Sequence, residues 1–209
     1  MSAIERIAFH LGRRDEVPNQ ELARDLAGRG DADGIAEIAA HLDDPNKNVA
    51  SDCLKVLYEV GYIDPALIAP YVDTFLDLLS SRSNRMVWGG MIALWTVADL
   101  RHDDIWERID EVRKAVEGGT VITVVSGVKA LSVVASKDPV REERLRPFLF
   151  GILSDCSAKL LPTHAEDMLV MVGDGNRDAM VGLLEGRADE LSRSQRTRLN
   201  RVLRTLGDV

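Results

Sequence analysis

The side chains able to do chemistry are few and dispersed. The four histidines, His10, His41, His102 and His164, fall one to a region, with no HExxH and no paired Cys/His spacing. The nitrogen and sulfur sets that hold zinc or iron are therefore not written in the chain, and neither a metal nor a cofactor is expected. His164 and Asp167 stand three residues apart and share a helical face, but two ligands do not make a site; His164 is expected at the surface or at a helix end. The HDD at 102–104 reads as an interhelical turn in which Asp103 or Asp104 caps the next helix. GDGNRD at 173–178 lacks the alternating carboxylates and closing glutamate of a calcium loop, and reads as a Gly-rich turn. No GxSxG, P-loop or GxGxxG occurs, so no catalytic residue is assigned and the chain is not expected to be an enzyme.

Trp88 and Trp95 draw more attention. They lie seven residues apart, on one face of one helix, away from charge-rich sequence. Large flat side chains make binding anchors at low entropic cost, and equally they fill cores; the sequence leaves both open. Charge is also uneven. Residues 186–209 hold six arginines (Arg187, Arg193, Arg196, Arg198, Arg201, Arg204) against Asp189, Glu190 and Asp208, a local net of +3 that leaves −11 for the rest. That segment is either a solvated terminal helix or a basic patch for a phosphate backbone or an acidic protein segment.

The elements that must position these residues follow from a repeat. Val56, Leu94, Leu131, Leu169 and Leu203 anchor similar segments (VLYEVG, LWTVAD, LSVVAS, LVMVGD, LRTLGD) at spacings of 38, 37, 38 and 34. Four positions later come Val60, Ala98, Ala135, Gly173 and Gly207, a mostly small column that suits close helix approach. Each period divides into two helices: 34–42 with 47–60, 65–79 with 85–100, 104–116 with 120–136, 139–153 with 159–172, and 177–184 with 194–206. Breakers separate them at Gly61, Asp64–Pro65, Ser80–Asn84, Gly118–Gly119, Asp138–Pro139 and Gly173–Gly175, and Asp43, Asp44 and Asn46 are placed to cap the second helix of the first pair. First helices are amphipathic, as in the Ile105, Ile109, Val112, Val116 stripe; second helices are mostly apolar. VITVVSGVKALSVVAS is valine-rich, yet its 16 residues and its match to the other copies favour helix over strand. In the stacked copies Trp88 aligns with Ala50, Val125, Thr163 and Thr197, and Trp95 with Leu57, Ser132, Val170 and Arg204. Such mixed columns border solvent, and Lys129, Asp167 and Arg201 share a neighbouring column that extends the strip.

The 209 residues carry 34 acidic against 26 basic side chains, a net charge of −8, which argues against a uniformly basic nucleic-acid or membrane-surface binder. Met86–Ala98 and Thr120–Val128 fall short of the ~20 residues that cross a bilayer. Two cysteines, Cys53 and Cys156, and an N-terminus without an apolar signal core point to free thiols in a soluble, cytoplasmic protein with no membrane partner. The expected organisation is an all-α chain with N-terminal capping helices over 1–30 and an array of about five helix pairs over 31–209.

HLDDPNKNVASDCLKVLYEVG resembles a HEAT repeat: Leu42, Asp44–Pro45, Val49, Leu54, Leu57 and Gly61 follow that family's leucines, turn Asp-Pro, helix-opening valine and closing glycine. The copy around ILSDCSAKLLPTHAEDMLVMVG keeps Leu153 and Asp155 without the turn proline, and Ala50, Trp88 and Val125 stand where the family often carries an arginine. The resemblance implies a divergent HEAT-like, armadillo-like α-α superhelix, or solenoid, with second helices lining its concave face. It also implies a non-catalytic scaffold or adaptor that binds a protein or peptide there, with Trp88, Trp95, Lys129, Asp167, Arg198 and Arg201 as candidate partner-binding residues. The alternative it implies is a nucleic-acid-binding protein or a HEAT-like alkylpurine DNA glycosylase, in which Trp88, Trp95, Asp167 and Arg201 would form the cleft; the Arg-rich C-terminal helix is the place where nucleic acid would bind.

Overall fold

A computed structural model describes residues 2–207. It is built of α-helices and short 3-10 turns, with no strand among the described residues. The valine-rich stretch is helical over Val121–Ala135, so the β preference of valine is overridden there. No helix among the described residues is long and apolar enough to cross a membrane. The chain divides into two compact units, Met1–Gly127 and Val128–Val209.

The first unit opens with a 3-10 turn at Ile4–Arg6 and α1 (Val17–Arg29). Gly30 ends α1 at φ +60°, a left-handed conformation that costs glycine little, and its N–H closes onto Ala27 and Leu26 carbonyls. Side chains pin this N-terminal segment: the Ala8 N–H donates to Asn19 Oδ1 at 2.8 Å, and the Phe9 N–H to Asp52 Oδ2 at 2.8 Å. The first pair is α2 (Ala32–Ala40) and α3 (Lys47–Ile63). Asn46 caps α3 by accepting the Asn48 N–H, and Asp44 braces the turn through the Asn46 N–H, as the spacing predicts. α3 lies among α1, α2 and the next second helix, and buries Ala50, Cys53, Leu54, Val56, Leu57 and Val60.

The helix expected over 65–79 is instead two 3-10 turns, Pro65–Leu67 and Ala69–Tyr71, followed by α4 (Val72–Leu78). Pro70 lacks the N–H that a continuous helix would use at that interior position. α5 (Asn84–Val97) is the matching second helix. The helix expected over 104–116 also breaks, into α6 (His102–Glu107) and α7 (Ile109–Glu117), at Arg108, whose φ of −112° leaves the helical range. The HDD turn is corrected with it: His102 opens α6, Asp103 and Asp104 lie in its first turn, and neither caps it. α8 (Val121–Ala135) begins in this unit and ends in the next.

Gly61 does not end a helix, since α3 runs through it to Ile63. Glycine stands there for close approach. A Cβ at 61 would strike Thr96 Oγ1 and meet Ile68 Cδ1 at 2.7 Å. Gly90 likewise lets α5 approach α4, where a Cβ would meet the Phe75 carbonyl oxygen at 3.1 Å and Leu78 Cβ at 3.0 Å.

The second unit holds the end of α8, α9 (Pro139–Asp155), α10 (Leu161–Met168), α11 (Arg177–Gly186) and α12 (Arg193–Gly207). α10 is followed by a 3-10 turn at Leu169–Met171, so the helix expected over 159–172 is shortened at both ends. Leu145, Leu149, Leu153, Leu161, Ala165, Met168, Met180, Leu184 and Leu199 form its core. Residues 173–176 make a turn closed by Asn176, which accepts the Gly173 N–H and donates to Glu142 Oε1 at 2.6 Å and to the Met171 carbonyl at 3.1 Å.

Candidate interaction surface

In the first unit, α3 and α5 bring four aromatic rings together. Tyr58 and Tyr62 are one turn apart on α3, and Trp88 and Trp95 two turns apart on α5. Ring centroids lie 6.2 Å apart for Tyr58–Trp88, 5.9 Å for Tyr62–Trp95 and 6.0 Å for Tyr58–Tyr62, all tilted or edge-on. These are the geometries that opposed ring quadrupoles favour. Tyr58 is buried, Trp88 and Trp95 are half-buried, and Tyr62 is 48% exposed beside Ile63 at 50%. The tryptophans are thus neither core filler nor free appendages. Each has one side held by a tyrosine of the neighbouring helix.

Tyr58 is held from beneath by Lys55. The Lys55 ammonium lies 4.9 Å from its ring centroid and pairs with Glu59 at 2.7 Å and Glu16 at 2.9 Å. Burial by itself lowers the ammonium's pKa, but Glu59 and Glu16 outweigh it and keep Lys55 charged well above the usual lysine range. Burial pushes the Tyr58 hydroxyl up to about 12 against the pull of Lys55, and raises Tyr62 too, partly opposed by the Trp95 indole. All four rings therefore stay uncharged at neutral pH. Neither tyrosine stood out in the sequence, although the i, i+4 spacing of Tyr58 and Tyr62 on an apolar helix was a signal.

Lys129, Asp167, Arg198 and Arg201 belong to the second unit. Lys129 Nζ lies 3.9 Å from Asp167 Oδ1. Arg198 Nε donates to Glu166 Oε1 at 3.0 Å and its Nη2 to Thr163 Oγ1 at 3.1 Å, so α12 clamps α10 and the charge of Arg198 is already matched. Arg201 is exposed, and so are Arg193, Arg196 and Arg204. Arg187 caps the end of α9 by donating to the Leu153 and Cys156 carbonyls, both at 2.8 Å. The arginine-rich segment is therefore divided between structural clamps and a solvated face. The set Trp88, Trp95, Asp167 and Arg201 is split between the two units.

His164 is not where the sequence reading put it. It is fully buried in α10, and neither ring nitrogen has a hydrogen-bond partner. The leucine, alanine and methionine around it on α10 explain why: position 164 falls on that helix's inward stripe. Burial holds its pKa below the usual histidine range. Among the described residues no group of three or more His, Cys, Asp or Glu side chains is arranged to hold a metal ion.

No family model matches the chain, and no curated protein matches it. Solved structures do. An engineered protein that was a structural-genomics target aligns over 100% of this chain and 98% of its own, with TM-score 0.66 and 16% identity. A second engineered protein aligns over 98% of this chain and 58% of its own, with TM-score 0.64 and 16% identity. A designed armadillo repeat protein aligns over 98% of both chains, with TM-score 0.64 and 12% identity. With the paired helices and the five-copy period, these likenesses give the chain an armadillo/HEAT-like helical-repeat fold.

Proposed function

We propose that this protein is a non-catalytic interaction module that captures a partner protein or peptide on the aromatic face of α3 and α5. The row Tyr58, Tyr62, Trp88 and Trp95 carries the reading. Tyr62, Trp88 and Trp95 are in part open to solvent and packed against neighbouring rings, with buried Tyr58 behind them, so they lose little freedom when a partner covers them, which is the property of a binding anchor. The first unit holds 22 acidic against 13 basic side chains, so long-range attraction favours a partner segment with positive charge. Two free cysteines suit a reducing, cytoplasmic setting. A nucleic-acid reading rests on the exposed Arg193, Arg201 and Arg204, and is weakened by the engagement of Arg198 with Glu166.

The test is co-purification of the tagged protein from its native lysate, with and without nuclease, beside a Trp88→Ala/Trp95→Ala double variant. The expected result is a stoichiometric protein partner that survives nuclease and is lost with the variant while helical content is kept. A partner retained by the double variant would refute the assignment to this face. Enrichment that disappears with nuclease would move the function to the arginine face, and Arg201→Ala would then flatten its salt dependence.

A further inference from the structure

The shortest second helix of the array carries buried polar groups without hydrogen-bond partners. α10 has 8 residues, where α3, α5, α8 and α12 have 17, 14, 15 and 15. Its N-cap is Leu160, which offers no side-chain acceptor, and its C-terminal end loosens into a 3-10 turn where Val170 is 54% exposed. Inside this short helix, His164 is fully buried with both ring nitrogens unpartnered, and three residues on Asp167 has a buried, unpartnered Oδ2. A neutral imidazole always carries one donor and one acceptor, so the closed helix leaves both unsatisfied. Opening α10 would let water satisfy all of them.

We propose that α10 is a proton-controlled opening segment in which His164 and Asp167 act with opposite sign: opening lets His164 take up a proton and makes Asp167 give one up. In the closed helix no charged side chain stabilises a protonated His164, and burial alone acts on it. Asp167 is pushed by burial up to about 6, with Lys129 of α8 and Arg198 of α12 opposing that rise and Glu166 of α10 adding to it. No charged group from α9 acts on either residue. Both side chains are therefore most comfortable uncharged when closed, and both ionise more readily when open. Acid drives opening through His164, and neutral pH drives it through Asp167.

Hydrogen exchange read by mass spectrometry on peptides covering 161–171, at pH 7.5 and 5.5 and corrected for intrinsic rates, tests this. From an ordinary histidine pKa of 6.5, His164 by itself raises opening up to about tenfold at the lower pH. Asp167 by itself lowers it about fourfold. Asp167→Asn should open more in acid, by up to about tenfold, His164→Leu should close about fourfold more in acid, and the wild-type protein should fall between the two. Peptides of the first unit should not respond. Parallel pH responses in all three proteins would overturn the proposal, as would equal changes throughout the second unit. A measurement on the wild-type chain guards against misfolded variants: carbon NMR should show the Asp167 carboxyl titrating near pH 6 while the His164 ring titrates below the ordinary histidine range. Ordinary titration of both groups would overturn it equally.

Discussion

Replacing Gly61 with alanine separates two explanations for that glycine. If nothing stood against a side chain there, alanine would be helpful, because α3 continues to Ile63 and alanine is favoured over glycine in a helix by about 1 kcal/mol. The structure predicts the reverse. The new Cβ would strike Thr96 Oγ1, stand 3.0 Å from Thr96 Cβ and 2.7 Å from Ile68 Cδ1, and so must push α3 and α5 apart. Thr96 cannot simply turn away, since its hydroxyl donates to the Ala93 carbonyl at 2.7 Å. Overpacking of this kind costs about 1–3 kcal/mol, which leaves a net loss of up to about 2 kcal/mol after the helical gain. Gly28 is the internal control: it is helical, it lies in the same unit, and a Cβ there meets nothing within 4 Å, so Gly28→Ala should gain roughly 0.5–1 kcal/mol. Thermal melts followed by far-UV circular dichroism should separate the two alanine variants by roughly 4–8 °C. Adding Thr96→Ala to Gly61→Ala should recover part of the loss, with a coupling above about 0.5 kcal/mol. Equal stabilisation by Gly61→Ala and Gly28→Ala would refute the close-approach argument.

Further tests are quicker. Trp88→Ala and Trp95→Ala should each cost about 1–2 kcal/mol in urea melts, below the ~3–5 kcal/mol of a fully buried tryptophan, because each residue is only partly buried; a full loss would place them in the core. Asp167→Asn should stabilise the protein at pH 7.5 by up to about 3 kcal/mol, and little at pH 4. The sign follows from a carboxyl whose folded pKa of about 6 exceeds its unfolded 3.8: its favourable contribution is complete below pH 3.8 and is lost as pH rises through 6. Thiol titration of the native protein should modify Cys156 alone, and slowly, because Cys53 is fully buried and burial raises both thiols; two equivalents should react in guanidinium. Arg201→Ala should leave stability unchanged, whereas Arg198→Ala should loosen α12 from α10 by removing its bonds to Glu166 and Thr163.

Much of the fold was legible in the chain because its signals are local. The apolar stripe of Ile105, Ile109, Val112 and Val116 and the cap at Asn46 each act within a few turns of helix, and helices such as α3 and α5 stand close to their expected places, whereas those over 65–79 and 104–116 break. Pro70 could have been read as a break in the 65–79 helix by the same local logic. Arg108 could not, since nothing in its neighbours forbids helix.

The candidate site was half legible. Trp88 and Trp95 announced themselves by type and spacing, but their exposure depends on what the next helix places against them. Tyr58 and Tyr62 supply that contact from α3, 30 and 33 residues away in the chain. The shared column of Lys129 and Asp167 was visible, whereas their pairing and the burial of His164 three residues before Asp167 were not. Local periodicity determined which segments are helices and which faces are apolar. Only the packing of one helix on another decided that Gly61 is a contact point, that Arg198 is spent on Glu166 and that His164 is dry. A side chain's solvent exposure and partners are properties of the surfaces brought together, and no single helix carries them.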